Sequence, residues 1–300
     1  MCKKTLWDLF IELTLVSKEI IVHPHLFHYT NNRAKENILS DDHIDFCLTR
    51  AEDFLDKNEG AQILEPFYHA CGVLYEEGKI DEEFFCILRS IRADTIRTHS
   101  SGAWILCLTP NGNSKYMKSR YAARDGWVIG ISTLPLEDLC NDSSHCFDRV
   151  ELCMVEYSFN KIRDKFIHDL TKIYNRYLDC LDNNIYNSKE KTIITLEKLM
   201  IQYISMNCYS YKSSDYKTEE EIRLICYPAT EFLSWKSEDG SVELFVTLDK
   251  SIPKLHLLLN NKNSYYCCTD KLEWQNSKEL NKAFLRDKEI VECANKNRDI

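Results

Sequence analysis

Apolar positions recur at helical spacing near the start of the chain, where Leu6, Leu9, Leu13, Val16 and Ile20 fall on one face and predict an amphipathic helix. An apolar run at Leu26 to Tyr29 reads as a strand, Arg33 to Leu39 as a short helix, and Ile44 to Leu48 as a second strand. Residues 61–98 read as helical, with Phe84, Phe85, Leu88 and Ile91 in one stripe that Ile87 extends. Trp104 to Thr109 reads as a strand, Pro110 to Asn113 as a turn, Tyr116 to Ala123 as helix and Trp127 to Ile131 as a strand after Gly126.

Val150 to Tyr157 has strand alternation, and the chain from Asn160 to about Asn207 is helical with a break at Asp182-Asn183-Asn184. Ile162, Phe166, Leu170, Ile173 and Tyr174 form the first stripe there, and Ile194, Leu196, Leu199, Met200 and Tyr203 the second. Strands return at Ile222 to Tyr227 and, after the turn Glu238-Asp239-Gly240, at Val242 to Thr247. The tail over 271–300 is charged and reads as a fraying helix. Strands and helices without regular βαβ alternation imply an α+β fold. No Pro/Gly/Ser linker or repeat divides the chain, so it reads as a single domain over 1–300, its core at about 22–250, with a helical insertion at 160–207 whose periodicity favours core packing over a partner interface.

Composition narrows the class. Lys and Arg number 38 against 47 Asp and Glu, a formal charge of −9, which opposes a general nucleic-acid-coating role. Hydrophobic residues at 44% and only 8 Gly and 6 Pro exclude a disordered or collagenous chain. Asp8, Glu12 and Lys18 interrupt the first apolar run, and no stretch reaches the ~18 apolar residues of a spanning helix, so a cytoplasmic protein without a membrane partner is expected. The 14 cysteines include no Cys-x-x-Cys pair and several lie in apolar runs, which implies reduced thiols packed as small hydrophobes.

Three clusters carry candidate chemistry. His28-Tyr29-Thr30 ends the first strand, where His28 could donate a hydrogen bond to a sugar or amide and Tyr29 could stack on a flat ring; a partly buried aromatic pair is the plainer reading. His23, His25 and His28 have a metal-like spacing, but Pro24 disturbs the strand and no carboxylate completes the set, so no metal is expected. The second cluster, Ser114 to Gly126, holds Lys115, Lys118, Arg120 and Arg124. As a helix it would set Met117 and Tyr121 one turn apart on one face, with cations ready for phosphate or simply solvated. The third is Tyr216 to Cys226, where strand alternation would put Glu219, Glu221 and Arg223 on one face, either as a self-compensating set that orients a glutamate or as a solvated edge.

In this order the clusters resemble the bacterial domain-of-unknown-function family 2971 (DUF2971), which is similar to ADP-ribosyltransferases in fold. The likeness runs over about 25–228, outside the helical middle. It comprises Phe27-His28-Tyr29-Thr30, the segment Asp53-Phe54-Leu55-Asp56 with Glu59, Leu106 to Thr109, Met117-Lys118-x-x-Tyr121-Ala122, Gly126-x-x-Ile129-Gly130-Ile131 and Tyr216-x-x-Glu219-x-Glu221-x-Arg223. Leu55 and Lys57 replace the family's usual Asn and Pro, and Lys118 its Trp. The resemblance implies a mixed, antiparallel split sheet and NAD as substrate, with His28 on the nicotinamide ribose and Glu221 as the catalytic acid. Tyr121 or Tyr29 would stack on the nicotinamide ring, Arg33 or Arg124 would neutralise the pyrophosphate, and Thr30, Glu219 and Arg223 would complete the NAD site. It also implies a defence or toxin effector with an antitoxin or defence-system partner and a protein or nucleic-acid acceptor. Two other readings stay open: a nucleotide-binding sensor that keeps the fold without the chemistry, and a nucleic-acid-directed enzyme using Lys115, Lys118, Arg120 and Arg124.

Overall fold

The computed structural model describes residues 4–15, 23–39, 43–54, 56, 58–122, 126–141, 147–228, 234–236, 242–246, 253–258 and 264–268. Among them the chain runs α1 (Leu6–Leu15), β1 (His25–Thr30), α2 (Asn32–Ile38), β2 (His43–Cys47), β3 (Thr49–Arg50), α3 (Leu64–Glu76), α4 (Glu82–Ser90), α5 (Ala93–Ser100), β4 (Trp104–Leu108) and α6 (Lys115–Met117). It continues with β5 (Trp127–Ser132), α7 (Leu134–Asn141), β6 (Phe147–Met154), α8 (Phe159–Asp182), α9 (Lys189–Asn207), β7 (Ile222–Pro228), β8 (Ser234–Lys236), β9 (Val242–Val246), β10 (Pro253–Leu258) and β11 (Ser264–Cys268). This is a mixed α+β architecture with antiparallel sheets. No described helix is long and apolar enough to cross a membrane.

Where the sequence reads as a single domain, the contacts divide the chain into two compact units. One comprises Met1–Val22, Leu48–Cys107 and Ser144–Phe232; the other comprises His23–Cys47, Leu108–Ser143 and Leu233–Ile300. The chain passes repeatedly between them, so no boundary carries a linker composition.

The first unit joins the sheet β3-β4-β7-β6 to helices α1, α3, α4, α5, α8 and α9. The expected helical stretch 61–98 is three helices. Gly78 at φ 67° ends the turn after α3, where only glycine is unstrained, and Asp81 restarts the chain by accepting the Phe84 amide at 2.8 Å. The segment read as an insertion supplies much of this unit's core. Ile162, Phe166, Leu170, Ile173 and Tyr177 repeat every three or four residues along α8 and are buried, and Phe166 meets Phe67 of α3 at 5.3 Å between ring centres and Tyr203 of α9 at 6.0 Å. Asn184 and Asn187, at φ 50° and 65°, turn the chain between α8 and α9 at the expected break.

The second unit holds the sheets β1-β5-β11 and β2-β10-β9-β8. Val128, Ile129 and Ile131 of β5 are fully buried, in keeping with a strand flanked on both sides, with His28 opposite Ile129 and Tyr29 opposite Val128. Phe27 exchanges two backbone hydrogen bonds with Thr109, and Gly112 sits so close to the Phe27 ring that a β-carbon there would lie 2.7 Å from it. The expected helix over 116–123 is one α-turn followed by a π-turn at Lys118–Ala122. The wider i→i+5 turn takes Tyr121 off the face of Met117: Met117 packs on the Phe27, Tyr29, Ala122 and Val128 cluster, while Tyr121 is 40% exposed. Val16, Ile20, Arg124 and the tail 271–300 lie outside the described residues.

Candidate active site

The third motif folds as a turn before it becomes a strand. After α9 the chain pairs briefly with the end of β6, through Glu156 N to Ser210 O at 2.9 Å and Lys212 N to Glu156 O at 3.1 Å. A 3-10 helix follows at Ser214–Glu219, and Glu220 takes the left-handed conformation, φ 46° and ψ 48°. The Glu221 amide donates to the Tyr157 hydroxyl at 2.9 Å, and the Glu221 carbonyl accepts from Val155 N at 2.9 Å. The left-handed residue leaves Glu220 exposed while Glu219 and Glu221, on either side of it, turn inward: they are 2% and 4% exposed. Strand alternation begins only at Ile222, so Glu219 reaches its neighbours by this turn and not by the strand pleat.

Five charged side chains meet in the first unit. Arg223, 1% exposed, grips Glu221 with two parallel hydrogen bonds, Nε to Oε1 and Nη2 to Oε2, both 2.9 Å. Its Nη2 also donates to Glu59 Oε1 at 2.6 Å, and Nη1 donates to the Tyr209 carbonyl at 2.9 Å. The Lys212 ammonium donates to Glu219 Oε2 at 2.7 Å and Glu221 Oε2 at 3.3 Å, and lies 3.8 Å from Glu59 Oε2. Three carboxylates thus surround two cations, a formal excess of one negative charge.

Burial alone would raise the Glu221 carboxyl, but the Arg223 charge and hydrogen bonds, then Lys212 and the Cys107 thiol, overcome it and bring it down from 4.5 to about 2. Lys212 is raised by the same balance: burial opposes its charge, and Glu221, Glu59 and Glu219 more than offset that. Burial and the Glu221 charge push the Cys107 thiol well above its ordinary value, which makes it a hydrogen-bond donor and not a nucleophile.

A cleft of about 240 Å³ borders the cluster, lined among others by Phe54, Asp56, Glu59, Arg97, Ser101 and Tyr209. Asp56 is held by Gln62 at 3.0 Å and by the Tyr216 hydroxyl at 3.3 Å, so the Asp53–Glu59 segment is tied to the last motif at two points, Asp56 and Glu59. Glu59 is the cluster's carboxylate on the cleft wall; Glu219, Glu221, Lys212 and Arg223 are absent from that lining. A fixed, net-negative group beside an open cleft suits the stabilisation of positive charge on a ligand.

The structure therefore unites Glu219, Glu221 and Arg223 and adds Lys212 and Glu59, which the sequence reading does not assign to the site. A lysine alone among the aromatics of Tyr209-Ser210-Tyr211-Lys212, just ahead of an acidic motif, is the one signal that marked Lys212. The other assigned residues lie in the second unit. His28 is half-buried and meets the Phe46 ring edge-on at 5.3 Å. Tyr29 is buried, donating to the Asn111 carbonyl at 2.7 Å and accepting from the Ser114 amide at 2.9 Å, so its ring is fixed in the core. Thr30 is buried too, Arg33 is exposed on α2, and Tyr121 is exposed beside Arg120, whose guanidinium lies 5.7 Å from its ring centre. Lys118 bonds Asn113 at 3.1 Å. No three His, Cys, Asp or Glu side chains among the described residues are placed to hold a metal ion.

Fold and site together define a mixed α+β protein with a net-negative ionic cluster buried beside a cleft. No known protein family, curated protein or solved structure matches the chain.

Proposed function

We propose that the chain is an NAD-consuming enzyme of ADP-ribosyltransferase-like fold, a transferase or an NAD glycohydrolase. The observation that supports this reading is the buried Glu219–Glu221–Arg223–Lys212–Glu59 cluster bordering the cleft. Breaking the nicotinamide–ribose bond develops positive charge on the ribose, and pre-organised carboxylates in a site of low dielectric lower that barrier. In this reading the buried cluster around Glu221 supplies the catalytic carboxylate, and the roles of His28 on the nicotinamide ribose and of Tyr121 on the nicotinamide are proposals that rest on the family resemblance, the Tyr29 ring being already packed. Arg33 and Arg124 are the proposed pyrophosphate contacts. The protein or nucleic-acid acceptor, the cytoplasmic setting and a defence or toxin role with its own partner are proposals resting on the family resemblance.

Nicotinamide release from NAD by the purified protein, with protein and nucleic-acid acceptors supplied, tests the reading. Turnover that falls by about 100-fold or more in Glu221→Gln is expected. No release by the wild type, or equal release by the variant, overturns it. A second reading, a nucleotide-binding module without turnover, is favoured by one observation: the Arg223 fork and Lys212 already occupy both oxygens of Glu221. It expects NAD to raise Tm while remaining intact.

A further inference from the structure

We propose that Glu59 is the carboxylate that faces the reacting ribose, with Glu221, Arg223 and Lys212 as positioning residues behind it; this rests on the NAD-consuming reading above. Three observations converge on Glu59. It lines the cleft of about 240 Å³, whereas Glu221 does not. Its side chain is only 6% exposed, so a charge there acts through protein more than through water. Its two oxygens are unequally engaged: Oε1 accepts the 2.6 Å hydrogen bond from Arg223, while Oε2 accepts none from the described residues and has the Lys212 ammonium only at 3.8 Å.

The division of labour follows from those contacts. Arg223 bonds Glu221 and Glu59 with the same guanidinium, so Glu221 fixes the arginine and the arginine fixes Glu59. Lys212 lies within 4 Å of all three carboxylates and limits their mutual repulsion. The result is a carboxylate held in place at the cleft wall, one of whose oxygens takes no hydrogen bond from the described residues. The cleft is smaller than the roughly 300–1,000 Å³ that enclose drug-sized ligands, so it would take one end of the dinucleotide, the nicotinamide riboside, and leave the remainder outside.

In the step itself the C1′–N bond breaks and its electron pair goes to the pyridinium nitrogen, so nicotinamide leaves neutral. The oxocarbenium charge left on the ribose faces the Glu59 carboxylate. Water then gives a lone pair to C1′ and releases one proton to solvent, so that NAD and water become ADP-ribose, nicotinamide and a proton; a transferase would use an acceptor nucleophile in the place of water.

Steady-state nicotinamide release by wild type, Glu59→Gln and Ser101→Trp tests the assignment, with Tm recorded for each. Gln keeps an oxygen for Arg223 and removes only the charge. The expected result is a fall in kcat of about 100-fold or more in Glu59→Gln with KM within about twofold, which a purely structural glutamate would not produce in the folded fraction. Ser101→Trp fills the cleft from a lining residue outside the ionic cluster and is expected to abolish release; unimpaired release by it excludes the cleft, and Glu59 with it, if Glu59→Gln does not fold. A wild type that turns over while Glu59→Gln, or in its stead Ser101→Trp, is unimpaired overturns the assignment and leaves the NAD reading standing. A wild type that releases nothing overturns both.

Discussion

Arg223→Met is the sharpest perturbation of the cluster. It removes two hydrogen bonds to Glu221, one to Glu59 and one to the Tyr209 carbonyl at a position 1% exposed, where water cannot take over. Removing one partner of a buried ion pair costs about 3–5 kcal/mol, because the carboxylates left behind stay desolvated. Part of this is visible in the protonation of Glu221. Its carboxyl falls from 4.5 to about 2 on folding, which corresponds to about 3 kcal/mol.

The folded value lies below the unfolded one, so this stabilisation is complete above about pH 4.5 and is lost as pH falls toward about 2. At pH 3 about 2 kcal/mol of it is already gone. Urea denaturation followed by helical circular dichroism, which the long helices α8 and α9 of the first unit dominate, reads this out. Wild type should exceed Arg223→Met by about 3–5 kcal/mol at pH 7, and the gap should narrow by about 2 kcal/mol at pH 3. A gap below about 1 kcal/mol at pH 7, or one indifferent to pH, would refute the reasoning.

Three further outcomes follow from individual contacts. Tyr203→Phe removes the 2.5 Å hydrogen bond to Asp169, a carboxylate 6% exposed in the α8–α9 core, and should cost about 1.5–3 kcal/mol, measured as a lower urea midpoint. Glu220→Gly relieves a left-handed backbone and should be neutral to about 0.5 kcal/mol stabilising, while Glu220→Val at the same φ of 46° should cost more than about 1 kcal/mol; a thermal melt separates them. Gly112→Ala drives a methyl group to 2.7 Å from the Phe27 ring and should cost about 1–3 kcal/mol, seen as faster amide exchange in β1 with β7 unchanged.

The sequence was most legible where structure is local. The apolar run of β1, the short helix α2 and the post-glycine strand β5 stand in the structure within a residue or two of where their patterns put them. The break at Asp182-Asn183-Asn184 is realised as the turn between α8 and α9, where asparagines accept positive φ. Breaks that depend on a single capping residue are harder to see: Gly78 and Asp81 divide the stretch 61–98, whose one marked apolar stripe lies after them and gives no sign of the break. The strand β10 and the helix α7 went unread because short mixed segments such as Pro253–Leu258 carry little periodicity.

The division into two units was invisible for a different reason. Each unit is sewn from three separated segments, and contacts, unlike composition, leave no mark along the chain. The site was half legible. The acidic motif before β7 reads either as a compensating set of Glu219, Glu221 and Arg223 or as a solvated edge; in the structure Arg223 grips Glu221, and Lys212 links Glu219 to them. Their remaining partners were beyond reach, since Arg223 pairs with Glu59 across 164 positions and the inward turn of Glu219 depends on the left-handed Glu220.

Every step of the account requires that Glu221 be an ionised carboxylate locked between Arg223 and Lys212. Carbon-13 NMR titration of the glutamate Cδ signals, with Glu221 assigned through Glu221→Gln, measures this directly. The Glu221 resonance should stay at its ionised position from pH 7 down to about pH 3.5, because its midpoint lies near 2. A midpoint at or above the ordinary 4.5 would contradict it.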